Sequence, residues 1–203
     1  THRKPVKTGA IFSEKNESVS MQIINDTSAM IPEPCVATIG FFDGVHMGHR
    51  YLIQQVKEIA AAKGLRSALV TFPVHPRKVM NAAYHPELLT TPEEKTNLLA
   101  GTGVDYCLML DFTPDISRLT AKEFMTQILK ERFQVKYLVI GYDHRFGHNR
   151  SEGFDDYVRY GQAIGIEVIR AQAYTDDIQI DTIQSAPVSS SLIRKLLHQG
   201  DVD

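Results

Sequence analysis

The chain has 203 residues, 43% of them apolar, enough for one well-cored domain, and a formal net charge of −2 that marks no nucleic-acid surface. No apolar run approaches the ~20 residues of a membrane span, and no secretory signal is visible at the N-terminus. The two cysteines, Cys35 and Cys107, both sit in apolar runs, which points to reduced, buried thiols and a cytoplasmic protein.

Residues 1–20 are polar and basic-leaning without apolar period, and read as a tail or extension outside the fold. A short strand is predicted over 21–24, and Pro32 and Pro34 punctuate the approach to a buried strand over 36–42. Gly40, Gly44 and Gly48 follow at equal spacing, with His46 and His49 among them. Residues 50–63 carry the apolar period of a helix, which Gly64 stops, and 66–72 reads as a second strand. The prolines of Thr71-Phe-Pro-Val-His-Pro-Arg77 predict a loop. Thr91 and Glu94 form a capping-box pattern at the start of a helix over 92–100, and Thr120 with Glu123 opens another that runs to about residue 133. Between them, 106–110 is a third buried strand. A strand over 137–140, a helix over 154–164, a strand over 167–171 and a last helix over 190–198, stopped by Gly200, complete the chain. Strands alternating with helices predict a Rossmann-like, doubly wound parallel sheet with helices on both faces. Ligands are then expected off the carboxyl ends of the strands.

Four stretches carry chemistry. In Gly40-Phe-Phe-Asp-Gly-Val-His-Met-Gly-His49, a strand runs through a glycine-rich turn into a helix start. Such a turn lets backbone approach a phosphate, and the helix start offers unpaired N–H groups. The spacing fits neither the P-loop nor the dinucleotide fingerprint. Two imidazoles stand where a P-loop has its lysine. His46 and His49 with Asp43 also admit a zinc reading, but zinc does not need three glycines, so phosphate contact is favoured. The second stretch is Val188-Ser-Ser-Ser-Leu-Ile-Arg194. Ser189, Ser190 and Ser191 exceed what one helix cap needs, and hydroxyls, free N–H groups and the Arg194 guanidinium together make a polyphosphate cradle. In the third stretch Phe72 offers an aromatic face, while His75 and Arg77 offer donors to anionic oxygens. The fourth is Gly141-Tyr-Asp-His-Arg-Phe-Gly147, with Asp143 and Phe146.

In that order the four stretches resemble the signatures of the bacterial FAD synthetases, within the wider HxGH nucleotidyltransferase superfamily. The match spans roughly residues 21–203 and is to the N-terminal FMN adenylyltransferase module, expected here over 21–200. That family usually has Asn or another residue at position 41, which makes Phe41 read as a tolerant position. It has Thr for Ser191, Ile for Val188 and Phe for His144, and its proline stands one place later than Pro73.

The resemblance implies transfer of AMP from ATP to FMN, giving FAD and pyrophosphate, with Mg²⁺ accompanying ATP. His46, His49, Ser190 and Arg194 are the expected catalytic group. Gly40, Phe41, Phe42, Asp43, Gly48, Ser189 and Ser191 are expected to bind ATP, and Phe72, His75, Arg77, Asp143 and Phe146 the flavin. Asp43 is not read as a metal ligand, and no protein metal site is expected. Neither nucleic acid nor membrane is an expected partner. A riboflavin kinase module normally follows in this family. Its Pro-Thr-Ala-Asn signature is missing, so the chain reads as a single-module piece that does not phosphorylate riboflavin. The alternatives are a related nucleotidyltransferase with another phosphate acceptor, or a non-catalytic nucleotide- or flavin-binding module.

Overall fold

The computed structural model describes residues 20–25, 30–31, 33–141, 144–174 and 188–200. The tail expected over residues 1–20 lies, but for residue 20, outside them. Six parallel strands form one sheet: β1 (Gln22–Ile24), β2 (Cys35–Ile39), β3 (Arg66–Thr71), β4 (Tyr106–Met109), β5 (Val135–Ile140) and β6 (Glu167–Arg170), in the order β1-β4-β3-β2-β5-β6. In register, Ala37 of β2 lies beside Ala68 of β3 on one side and Leu138 of β5 on the other.

Every residue of β2 is buried, as a central parallel strand requires. Alternation sorts its side chains. Cys35, Ala37 and Ile39 pack with Phe124, Met125 and Leu129 on one face. Val36 faces the other way, onto Val56 and Ala60 of α1 (Met47–Lys63), while neighbouring Leu69 and Cys107 meet Ile53 and Leu99. Leu99 belongs to α3 (Pro92–Ala100), whose capping box at Thr91 and Glu94 is formed. Helices therefore cover both faces. From β2 the chain winds outward to β3 and β4, then returns to the opposite side of β2 as β5. The loops leaving β2 and β5 diverge at that reversal, opening a crevice at the carboxyl ends of the two central strands.

Three local expectations differ from the structure. The central strand stops at Ile39, because Phe42 turns into the left-handed region (φ 57°) and Asp43–Val45 form one 3₁₀ turn before α1 begins at Met47. The predicted loop after β3 contains a short helix, α2 (Pro76–Met80), with Pro76 at its first turn and His75 as its cap. The helix expected from residue 120 begins as α5 (Ala121–Glu123) and continues as a π-helix, Phe124–Lys130, with Glu131 N–H donating to the Thr126 carbonyl. That widening turns Phe124, Met125, Ile128 and Leu129 into the core. The turn at α4 (Pro114–Arg118), capped by Thr113, was not predicted. The last two helices, α6 (Phe154–Ile164) and α7 (Ser190–Gln199), fall where the sequence puts them.

Gly147 closes the loop after β5 against α5. Its φ is 88°, and a Cβ there would stand 2.6 Å from the Ala121 nitrogen. Gly147→Ala adds the left-handed cost of an L-residue to a backbone clash, and is expected to lower the unfolding free energy by about 2–4 kcal/mol. Chemical denaturation of the two proteins measures it, and an unchanged midpoint excludes the close packing.

Candidate active site

The turn after β2 is built around Asp43. Its side chain is only 6% exposed, and its carboxylate accepts hydrogen bonds from the backbone N–H groups of Leu89 (2.9 Å) and Thr90 (3.3 Å). The other oxygen pairs with Arg194 Nη1 at 2.7 Å, and the Asp43 carbonyl accepts from the Ser190 hydroxyl at 3.0 Å. The first glycine-rich stretch and the last helix, about 150 residues apart, therefore meet on one aspartate. The three serines divide the work. Ser189 caps α7 by accepting from Leu192 N–H, Ser190 reaches Asp43, and the Ser191 hydroxyl accepts from Arg194 Nη2 at 3.4 Å. Ser189, Ser190 and Arg194 line one cleft with His46, Gly48 and His49, whereas Ser191 is exposed beside Arg194 and is not on its wall.

At the start of α1, His46 Nδ1 accepts the His49 backbone N–H at 3.3 Å, which fixes the proton of the neutral ring on Nε2. The rings of His46 and His49 stack with centroids 3.6 Å apart, and Phe42 meets His49 edge-on at 5.3 Å. Burial, then the neighbouring His46 and His144, push the His49 imidazole down to about 3. Burial also lowers His46, with Asp43 opposing. Both rings are thus neutral near pH 7, and the buried Nδ1 of His49 has no hydrogen-bond partner. A Cβ on Gly48 would press on the His46 ring at 3.2 Å and on the Val188 carbonyl at 3.3 Å, so a side chain there would have to push the turn and the approach to the last helix slightly apart. Gly40 and the buried Phe42 stand on the floor of the cleft.

Beside the cleft lies an apolar cavity of about 490 Å³ walled by Phe41, Phe72, Phe112, Ile116, Phe124 and Phe146. Phe72 meets Phe112 edge-on, and Phe146 stacks on Tyr157 at 4.2 Å. The Tyr157 hydroxyl accepts from the Phe146 N–H at 3.1 Å, which fixes this wall. His75 and Arg77 stand at the rim. Asp143 lies outside the described residues. Ile39, Phe41, His75 and His144 line both the cavity and the cleft, so the two adjoin.

Phe41, read from the sequence as a tolerant position, stands on this shared wall. Its ring packs edge-on against His75 at 4.7 Å and lies 4.0 Å from Lys95 Nζ. Lys95 was not singled out in the sequence. It is 2% exposed, and its ammonium donates to the carbonyls of Phe41 (3.1 Å) and Phe72 (2.8 Å), clasping the exits of β2 and β3 together. Burial pushes its pKa down to about 8. The available signal was its place four residues before Leu99, on the buried face of α3.

A zinc site at Asp43, His46 and His49 does not fit, because the Asp43 carboxylate is committed to Arg194, Leu89 and Thr90. Among the described residues, no three His, Cys, Asp or Glu side chains stand together as a metal site. No helix among them is long and apolar enough to cross a membrane.

Comparison with known proteins gives the family. The family model described as FAD synthetase matches residues 28–187. The bifunctional riboflavin kinase/FMN adenylyltransferase of Escherichia coli (strain K12) is 33% identical over 174 residues, 86% of this chain and 53% of that protein. The protein of the same name from Pseudomonas fluorescens is 34% identical over 185 residues, 90% of this chain and 57% of that protein. A solved structure described as a macrolide-efflux protein from Streptococcus pneumoniae superposes with a TM-score of 0.74 at 27% identity, over 89% of this chain and 57% of its own. The chain spans about half the length of the curated relatives it matches. With the family model covering most of its length, the chain belongs to the FAD synthetase family.

Proposed function

We propose that this chain transfers AMP from MgATP to FMN, giving FAD and pyrophosphate. One observation carries the reading: a cleft of neutral imidazoles, hydroxyls and one guanidinium shares four wall residues with an adjoining aromatic cavity. The cleft suits a triphosphate and the cavity a planar tricyclic ring. An FMN phosphate oxygen attacks the α-phosphorus, the bond to the bridging oxygen breaks, and pyrophosphate leaves with the electron pair. The phosphomonoester has its second pKa at about 6 and is largely ionised at pH 7, so no general base is needed.

The protein's part is orientation and charge stabilisation. His46 donates from Nε2 and His49 from its own ring to the phosphates undergoing transfer. Ser189, Ser190 and Arg194 hold the leaving pyrophosphate. Mg²⁺ arrives as part of the nucleotide substrate, carried by phosphate oxygens. The names of the relatives pair this activity with riboflavin kinase, and the same covalent partner is proposed for the full-length protein.

Pyrophosphate release with FMN and MgATP, read beside the change in flavin fluorescence, tests the reading. Release with FMN but not with phosphopantetheine or nicotinamide mononucleotide supports it. Release with another acceptor alone, or binding of both substrates without release, overturns it.

A further inference from the structure

The pairing of β2 with β3 ends at Ile39 and Val70, and the Gly40 N–H on the Val70 carbonyl (3.0 Å) closes the ladder. Past that point the two strand exits are joined by side chains. The Thr71 hydroxyl donates to the Phe41 carbonyl at 3.3 Å, and Lys95 reaches both exits from α3 through the carbonyls of Phe41 and Phe72. Phe41 and Phe72 are also two of the aromatic walls of the cavity, whereas Lys95 lines neither cavity nor cleft and stands behind the wall. Among the described residues no carboxylate forms an ion pair with its ammonium. Two carbonyls and the face of Phe41 meet the charge instead. A buried ammonium without a counter-ion opposes folding in a way that an apolar side chain of the same length would not. That cost points to a use at the site rather than in the core.

We propose that Lys95 is a positioning residue for the acceptor: by tying the Phe41 and Phe72 carbonyls to one ammonium it sets the separation of two aromatic walls, and with it the affinity for a planar aromatic ring. That the ring is a flavin rests on the proposed function. Two carbonyls held on one charge fix the backbone from which both rings project. A cavity set in advance to the thickness of a ring spares the ordering that binding would otherwise require. The groups assigned to the nucleotide phosphates, His46, His49, Ser190 and Arg194, are not bonded to Lys95, so the effect falls on the acceptor.

Dissociation constants of FMN, riboflavin and MgATP are measured separately by calorimetry at pH 7 for the parent and for Lys95→Met, which keeps the length of the side chain without its charge. The two flavins carry the same ring, so both should weaken by the same factor, roughly tenfold to a hundredfold, as for loss of hydrogen bonds made by a charged group. MgATP binding should stay within about twofold of the parent. Flavin binding unchanged, a loss confined to FMN, or an equal loss for MgATP each overturns the positioning role. The parent alone gives a second reading, which decides if Lys95→Met does not fold. Burial holds Lys95 down to about 8, so between pH 7 and pH 9 the ammonium becomes an amine whose lone pair replaces the charge over Phe41. Riboflavin affinity should fall severalfold across that range, and a flat profile overturns the role. Of the titratable groups around Lys95, Asp43 is paired with Arg194. Burial pushes the Cys107 thiol up to about 11 and lowers the His75 imidazole, so neither titrates in that window. A parent chain that binds neither flavin overturns the proposed function itself, and this assignment with it.

Discussion

His49→Ala is expected to lower the turnover number for adenylyl transfer by about 10²–10³ while leaving a folded protein, the usual cost of removing one preorganised donor from a developing oxyanion. The size of the effect follows from the state of the ring before substrate arrives. His49 is held neutral, down to about 3, chiefly by burial. It stacks on His46 at 3.6 Å and is braced by Phe42, so its orientation is set in advance. A neutral ring offers a donor without a salt-bridge partner to break, and charge growing at the α-phosphorus then finds a dipole already aimed. The check is single-turnover kinetics on the purified variant, with circular dichroism confirming the fold. A rate close to the parent would remove His49 from the transition state.

The same ring gives a sign for acid stability. Its folded pKa of about 3 lies below the unfolded 6.5. Between those values the unfolded chain binds the extra proton, so stability rises with pH across the window. The contribution is complete above 6.5 and is lost as pH falls toward 3, at no more than about 1.4 kcal/mol per pH unit for this one site. His46 and His75 are shifted the same way, so they add to the slope rather than oppose it. His49→Ala should therefore flatten the decline in melting temperature between pH 6.5 and 4 as well as slow the reaction.

The sheet was legible because β2, β3 and β4 are short apolar runs bounded by glycine, proline or capping residues, and because α1 and α3 carry helical periods. Motifs at strand ends then placed the crevice by topology alone. What escaped was local geometry with no compositional mark. The positive φ of Phe42 and Val45 reflects a turn tightened by long-range bonds to Leu89, Thr90 and Ser190, none of them near in sequence. The cavity wall was half read. Phe72 and Phe146 sit in motifs, whereas Phe112 and Phe124 look like ordinary core residues until β3, β4 and the π-helix bring them together. The ion pair of Asp43 escaped for a similar reason. In the chain it resembles a turn residue, and only folding sets Arg194 against it.

The largest combined effect is expected at that aspartate. In Asp43→Asn the Arg194 guanidinium loses its counter-charge, and an amide NH₂ replaces one oxygen that had accepted from a donor. Removing one side of a buried pair costs about 3–5 kcal/mol. Arg194 keeps 30% of its side chain in water, so the expected loss is about 3 kcal/mol, at the lower end of that range. Activity should fall further than stability accounts for. Asp43 sets both the turn that presents His46 and His49 and the angle at which α7 presents Ser190 and Arg194. Loosening it misplaces donors on both flanks of one triphosphate, and a misplacement of about 1 Å is enough to cost about 10²-fold. Arg194→Met is expected to destabilise as well, by stranding the carboxylate. The double variant Asp43→Asn with Arg194→Met should then be less unstable than the sum of the two, with a coupling of about 1–3 kcal/mol. A denaturation cycle on the four proteins measures that coupling. Strict additivity would mean that the 2.7 Å contact does not hold the turn and the last helix together in solution.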